Sequence, residues 1–173
     1  MLKAAAILRG RFPDVQFVLP VAPTLAHALV EKHVAESGVP VRIIDGQVYD
    51  VLRASDAAIV TSGTATLETG LMAVPMVIVY RISRLSYLIG RLFIHVKHIG
   101  LVNIVAGRTV VPELIQDDVT PEKIAGAIGT LLADQGKHNE VENDLKQVRV
   151  QLGEGGASSR AASVARELLE RAA

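Results

Sequence analysis

The order of apolar and polar positions cuts the chain into short apolar runs separated by helical stretches. Residues 15–19, 41–44, 57–60 and 76–80 are apolar runs of four or five residues bounded by turn formers, and each reads as a buried strand. Between them the pattern turns helical. Residues 1–9 have a helical composition, Pro23-Thr24 opens a helix to about residue 37, and Gly38 ends it. Thr24 is the expected cap of that helix, with Leu25, Ala28, Leu29 and Val34 available to pack. A short helix follows over about 47–54. Strands alternating with helices predict an α/β domain with a doubly wound, mostly parallel, Rossmann-like sheet. Such a domain ordinarily starts on a strand, whereas this chain starts on a helix. A first strand and its loop are therefore expected to be missing upstream of Met1.

The unit that organises the pattern lies between residues 59 and 80. Here a strand runs into Thr61-Ser62-Gly63-Thr64, a helix follows until Pro75 ends it, and a second apolar run continues to Tyr80. Small residues at the start of a helix leave backbone N–H groups free to face outward with the positive end of the helix dipole behind them, an arrangement suited to a phosphate. In parallel sheets ligands sit beyond the strand C-termini, which is where this turn falls. Glu68 is not explained by capping, because the residue three before it is Ala65. It lies four residues after Thr64 on the same helix face, placed to accept hydrogen bonds from a ribose diol. The plainer alternative is a solvated helix glutamate behind an ordinary strand-to-helix turn.

Beyond Tyr80 the chain changes character. No Asp or Glu occurs from Thr69 through Pro112, whereas Arg81, Arg84, Arg91, Lys97 and Arg108 all do. Leu85, Leu88, Ile89 and Leu92 recur at helical spacing, and Tyr87, Phe93 and Ile94 widen the apolar surface. Two readings fit a basic amphipathic helix of this kind. It lies on anionic lipid through Arg84, Leu85, Leu88, Arg91, Leu92 and Phe93, or it packs into the core with a few solvated arginines; the pattern alone favours packing. Residues 101–108 read as a strand or extended loop with Asn103 and Arg108 as polar ends. Pro112 starts a short helix over 112–116, and Thr120-Pro121 begins a longer one to about residue 133. Residues 137–152 and 158–169 are helical and charged.

Composition narrows the chemistry. The 173 residues are half apolar, enough for one domain with a sizeable core, and 18 Lys plus Arg balance 18 Asp plus Glu. Balanced charge, three Tyr, three Phe and no Trp give no support for a nucleic-acid partner. With no cysteine there are no disulfides, thiolate nucleophiles or zinc thiolates, which fits a reducing, cytoplasmic setting. The longest apolar run, residues 71–80, is about half of what a membrane-spanning helix needs and contains Pro75. Of the five histidines, His27 and His33 cannot share a helix face, and His95 and His98 are expected to lack a nearby carboxylate, so no metal is expected. No nucleophile elbow or Gly-x-x-x-x-Gly-Lys loop occurs.

Taken in order, Ser62-Gly63-Thr64-Ala65-Thr66-Leu67-Glu68, Val74-Pro75-Met76-Val77, Tyr80-Arg81, Asn103, Ala106-Gly107-Arg108 and Val111-Pro112-Glu113-Leu114 resemble the C-terminal half of the lipid A disaccharide synthases, which are GT-B glycosyltransferases. The resemblance spans essentially the whole chain. It implies transfer of 2,3-diacylglucosamine from UDP to 2,3-diacylglucosamine 1-phosphate, with inversion, release of UDP and no metal or other cofactor. It also implies that the Ser62-Gly63-Thr64-Ala65 turn cradles the diphosphate and Glu68 the uridine ribose. Arg81, Asn103, Arg108 and Glu113 match family motif positions lining the cleft.

By the same resemblance residues 1–136 form the UDP-sugar domain, lacking its first strand. Residues 137–173 are C-terminal helices packing on that domain or on an N-terminal domain expected to supply the catalytic groups. The basic stretch gains a reason, since acylated anionic substrates sit at the inner-membrane face, where a peripheral protein and a homodimer are both compatible. The family's Pro-Gly-Ser-Arg loop and following Glu have no counterpart here. A fragment, split gene product or misplaced start is therefore expected, with no turnover by the chain alone. Two other readings compete: a UDP-sugar 2-epimerase of GT-B fold, and a non-enzymatic α/β module that docks on membranes.

Overall fold

The computed structural model describes residues 1–83, 87, 97–153 and 155–172. Its elements run α1 (Leu2–Arg11), β1 (Phe17–Val21), α2 (His27–Ser37), β2 (Val41–Asp45), α3 (Val48–Arg53), β3 (Ala58–Thr61), α4 (Thr64–Leu71) and β4 (Met76–Tyr80). They continue with α5 (Leu101–Ala106), β5 (Glu113–Ile115), a 3-10 turn (Gln116–Asp118), α6 (Pro121–Ala133), α7 (Gln135–Leu152) and α8 (Ala157–Ala172). All the pairings, β1 with β2, β3 with β4 and β4 with β5, are parallel, in agreement with the expected Rossmann-like class. The strands form two sheets, β1-β2 and β3-β4-β5. The expected amphipathic stretch from Arg84 to His95, with the lipid-contact candidates Arg84, Leu85, Leu88, Arg91, Leu92 and Phe93, lies outside the described residues except for Tyr87.

The core is built on β4. Met76, Val77 and Ile78 are completely buried because the strand is paired on both edges and covered on both faces, which is why its sequence is a continuous apolar run and not an alternation. Leu8 of α1, Val102 of α5, Val111, Ile124 and Ile128 of α6, and Val141, Leu145 and Val148 of α7 complete the same cluster. Helix α1 packs along α6, while α4, α5 and α7 pack on one another. Each of these aliphatic side chains contributes roughly 1.5–3 kcal/mol by leaving water. The start of α6 is set as its sequence predicts, with the Thr120 hydroxyl accepting from the Lys123 amide and Pro121 in the first turn. Because α7 enters the core, residues 137–152 pack on the domain itself. The described residues of α8 are exposed throughout.

Three expectations are corrected. Helix α2 starts at His27, after a turn in which the Leu25 amide bonds the Ala22 carbonyl, so Thr24 caps nothing. None of its residues is buried, and Leu25 and Leu29 are more than half exposed. Residues 101–106 are the helix α5 and not a strand. Their β-branched composition is overridden by tertiary hydrogen bonds to the Asn103 side chain and to the backbone entering the helix. Residues 113–115 are a strand and not a helix, because the free edge of β4 takes them in register, with Ile78 N–H bonding the Pro112 carbonyl. Among the described residues no helix is long and apolar enough to cross a membrane.

Glycine marks a close approach in α4. A Cβ on Gly70 would stand 2.9 Å from Cγ2 of Val102 and 3.6 Å from Cδ2 of Leu145, both completely buried, whereas one on Gly126 of α6 meets nothing within 4 Å. Gly70→Ala is therefore expected to lower stability by about 1–3 kcal/mol through overpacking, and Gly126→Ala to raise it by about 0.5–1 kcal/mol through helix propensity. Urea unfolding of the two variants beside the parent checks the opposite signs.

Candidate functional site

At the C-terminal ends of β3 and β4 the chain makes the turn on which the sequence centres. Gly63 has φ 152°, ψ −165°, a backbone state essentially confined to glycine, and a Cβ there would meet only open space. The conformation, not crowding, requires the glycine. The Gly63 carbonyl turns inward, accepting from the Thr66 amide at 3.1 Å and the Thr66 hydroxyl at 2.8 Å. Thr69 likewise donates to the Ala65 carbonyl at 2.8 Å, so both buried threonines of α4 are satisfied within the helix. No side chain caps α4, and among the described residues no hydrogen bond occupies the amides of Gly63, Thr64 and Ala65. Gly63, Thr64 and Ala65 are exposed, and the side chain of half-buried Glu68 makes no hydrogen bond or ion pair among the described residues.

Ser62 is the inward anchor of this turn. Its amide donates to the Val79 carbonyl at 3.0 Å and its hydroxyl to the Ile99 carbonyl at 2.9 Å. Ile99 is itself held, since the Glu113 carboxylate accepts from the Ile99 amide at 2.9 Å and the Gly100 amide at 3.1 Å, at the mouth of α5. Asn103 completes the brace. It is completely buried, with Oδ1 accepting from the amides of Val110 and Val111 at 2.9 and 3.1 Å. Its Nδ2 donates to the Val111 carbonyl and to Glu113, each at 2.8 Å. The structure thus places Asn103 and Glu113 beneath the turn, positioning it through Ile99 and Ser62.

Exposed Arg81 follows the last residue of β4, at the same sheet end as Ser62, and has no ion-pair partner among the described residues. The backbone just after it is pinned by the Gln116 side chain, whose Oε1 accepts from the Ile82 amide at 3.0 Å. Gln116 Nε2 is buried without a partner among the described residues. Sequence reading passed over Gln116, although a polar residue directly after the apolar end of β5 was the available signal. Arg108 does not join this group. It lies beyond the far end of α5, where its guanidinium meets Asp144 of α7 at 2.6 and 2.8 Å in a two-pronged pair.

The expectation that His98 lacks a nearby carboxylate is corrected by the geometry. His98 does have a carboxylate beside it, Glu113 at 3.9 Å, because the loop before α5 folds over β5. Among the described residues no group of three metal-ligating side chains forms. Among the described residues, cavities of about 540 Å³ beside Arg149 and Gly153 and about 310 Å³ beside Val111 and Leu131 lie away from the turn. Gly63, Thr64, Ala65 and Arg81 are exposed and Glu68 is half-buried, so this group is open to solvent. Unpaired amides at a helix start, a cation at a neighbouring strand end and an unpaired carboxylate one turn inward suit a ligand with an anionic group next to a hydroxylated one.

The chain is closely similar to known proteins over nearly its whole length. A family model described as lipid-A-disaccharide synthetase matches residues 1–168. The chain is 48% identical over 172 residues to a lipid-A-disaccharide synthase of Syntrophus aciditrophicus, covering 99% of this chain and 45% of that protein. It is 47% identical over 169 residues to one of Geobacter metallireducens, covering 98% and 44%, and 49% identical over 163 residues to one of Anaeromyxobacter dehalogenans, covering 94% and 43%. The chain thus spans less than half the length of these relatives.

Two measurements check the roles of Asn103 and Arg108. Asn103→Ala leaves two amides and a carbonyl unpaired in the core and is expected to cost on the order of 3 kcal/mol in urea unfolding, well above the cost of an exposed Asn→Ala change. The Arg108 guanidinium, by hydrogen bond and charge, holds the Asp144 carboxyl below its ordinary pKa. A depressed folded pKa contributes stability that is present above the unfolded pKa and lost as pH falls through the folded one. In Arg108→Gln the Asp144 titration followed by carbon NMR should return to the ordinary range. The parent's stability advantage over this variant should be present at neutral pH and vanish in acid.

Proposed function

The chain belongs to the lipid-A-disaccharide synthetase family, and from that premise we propose that it is the donor-binding portion of an inverting glycosyltransferase. The reaction is transfer of 2,3-diacylglucosamine from UDP to 2,3-diacylglucosamine 1-phosphate at the inner-membrane face. A hydroxyl of the acceptor attacks the anomeric carbon, the bond from that carbon to the UDP phosphate oxygen breaks, and UDP leaves with the electron pair. Charge therefore grows on the diphosphate as the bond breaks, and that is the place to put fixed positive groups. The observation that carries the reading is the set of unpaired amides at Gly63, Thr64 and Ala65 with unpaired Arg81 at the adjacent strand end. These receive the diphosphate, and Glu68 takes the ribose hydroxyls. With the helix dipole and Arg81 opposing the leaving-group charge, no metal is required for it.

Asn103 and Glu113 serve this site from beneath by holding Ile99, and through it Ser62, in place. The proton acceptor for the attacking hydroxyl and the lipid acceptor site come from outside this chain, which alone has no turnover. Family membership favours this reading over the epimerase and the non-enzymatic module.

The test separates the two ends of the nucleotide. In NMR titrations, Arg81→Ala should weaken UDP by about tenfold and leave uridine unchanged, since only the phosphates meet that cation. Glu68→Gln should weaken UDP and uridine alike. Equal UDP affinity in the parent and both variants would remove the turn from the donor site.

A further inference from the structure

The ladder between β4 and β5 is finished by a side chain. The Ile78 amide bonds the Pro112 carbonyl at 2.9 Å, and the register Ile78↔Glu113, Val79↔Leu114, Tyr80↔Ile115 repeats such a bond at every second residue. Continued past Tyr80, the next rung would join the Ile82 amide to the main-chain carbonyl of Gln116. That carbonyl is turned elsewhere. Gln116 has φ 51°, in the left-handed region, which takes the chain off the sheet edge into the 3-10 turn, and its carbonyl accepts from the Val119 amide at 3.1 Å. The Gln116 side chain stands in for it, with Oε1 accepting from the Ile82 amide at 3.0 Å. One residue thus leaves the ladder with its backbone and completes it with its side chain.

For the fold alone Gln116 is a poor choice. Glycine adopts φ 51° without strain, and an apolar side chain would bury no unpaired nitrogen, whereas Gln116 carries both costs, its Nε2 having no partner among the described residues. What it supplies is an acceptor without charge. A carboxylate at this position would also accept from Ile82, but it would set a negative charge at the strand end where Arg81 stands. The rung also fixes a direction. The peptide joining Arg81 to Ile82 is planar and trans, so with its N–H held toward β5 its carbonyl points to the β3 side. On that side the Ser62 amide meets the Val79 carbonyl and the Gly63–Ala65 turn begins.

We propose that Gln116 is a positioning residue of the donor site, setting through Ile82 the backbone from which Arg81 reaches the diphosphate. The inference rests on the nucleotide reading above and adds to it the residue that aims its cation. Gln116 itself does not touch the ligand. Its Nε2 is closed off from solvent, and its effect passes through the Arg81–Ile82 peptide. A backbone fixed before binding spares the ligand the ordering of the segment that carries the cation, and the affinity gained is that saving.

The experiment is a double-mutant cycle on Gln116 and Arg81, read by NMR titration of UDP and of uridine into this chain. Gln116→Met keeps the length of the side chain and removes the rung together with the orphan amide. It should quicken exchange of the Ile82 amide by about tenfold, weaken UDP by about fivefold and leave uridine unchanged. In the Arg81→Ala background the same change should cost less than about twofold in UDP affinity, because the cation that it aims is gone. Gln116→Gly, whose backbone fits φ 51°, repeats the cycle where the apolar side chain disturbs the 3-10 turn. A loss of UDP affinity that persists in Arg81→Ala, or that extends to uridine, overturns the proposal. A loss in Arg81→Ala with none in either Gln116 variant overturns it too and leaves the donor reading standing. UDP binding that is indifferent to Arg81, or absent in the parent, removes both.

Discussion

A single buried carboxylate does the work that allows two separate parts of the fold to meet. Glu113 begins the edge strand β5, and its oxygens take the amides of Ile99 and Gly100 and one proton of the Asn103 amide. Removed from water, a carboxylate costs several kcal/mol unless its lone pairs are filled, so the loop entering α5 is fixed as strongly as the strand that carries the acid. Gly100 has to be glycine for the same reason. A Cβ there would lie 2.2 Å from Ile78 Cδ1 and 3.2 Å from the Glu113 carboxylate. Closeness, not an unusual backbone angle, imposes the residue at this position.

The geometry of the turn follows from that brace. Ser62 cannot reorient its hydroxyl toward a ligand without releasing the Ile99 carbonyl, which would leave a half-buried acceptor unpaired. Ser62 therefore holds the turn from within while Gly63, Thr64 and Ala65 present their amides outward. The two threonines that follow have the complementary task. By satisfying the carbonyls of Gly63 and Ala65, they let a polar helix face be buried against α5 and α7 at no cost in unpaired groups.

Much of this was legible in the chain. The continuous apolar run of β4, the Gly38 stop, the Thr120-Pro121 start and the turn with Glu68 one turn inward are local signals, and the fold keeps all of them. What misled were positions where long-range contacts decide. Val102, Ile104 and Val105 look like a strand, yet Asn103 needs two consecutive amides seven and eight residues on, and a helix delivers it to them. Pro112 and Glu113 look like a helix start, yet the open edge of β4 claims them. Asn103 and Glu113 were singled out as motif positions, but nothing in their spacing shows that Asn103 is completely buried and bonded to the Glu113 carboxylate. Arg108 pairs with Asp144, 36 residues away, which no local pattern encodes.

The openness of the turn has an energetic consequence. A helix start in contact with water favours an anion by roughly 0.3–1 kcal/mol, and salt damps charges farther apart than about 8 Å. Covering the same groups so that the effective dielectric falls from about 80 to about 20 multiplies each charge interaction about fourfold. A second body closing over Gly63–Ala65 and Arg81 thus adds more to anion affinity than one extra donor on the open surface. In the proposed donor site, affinity for an anionic group at these amides therefore depends on how far they are covered from water.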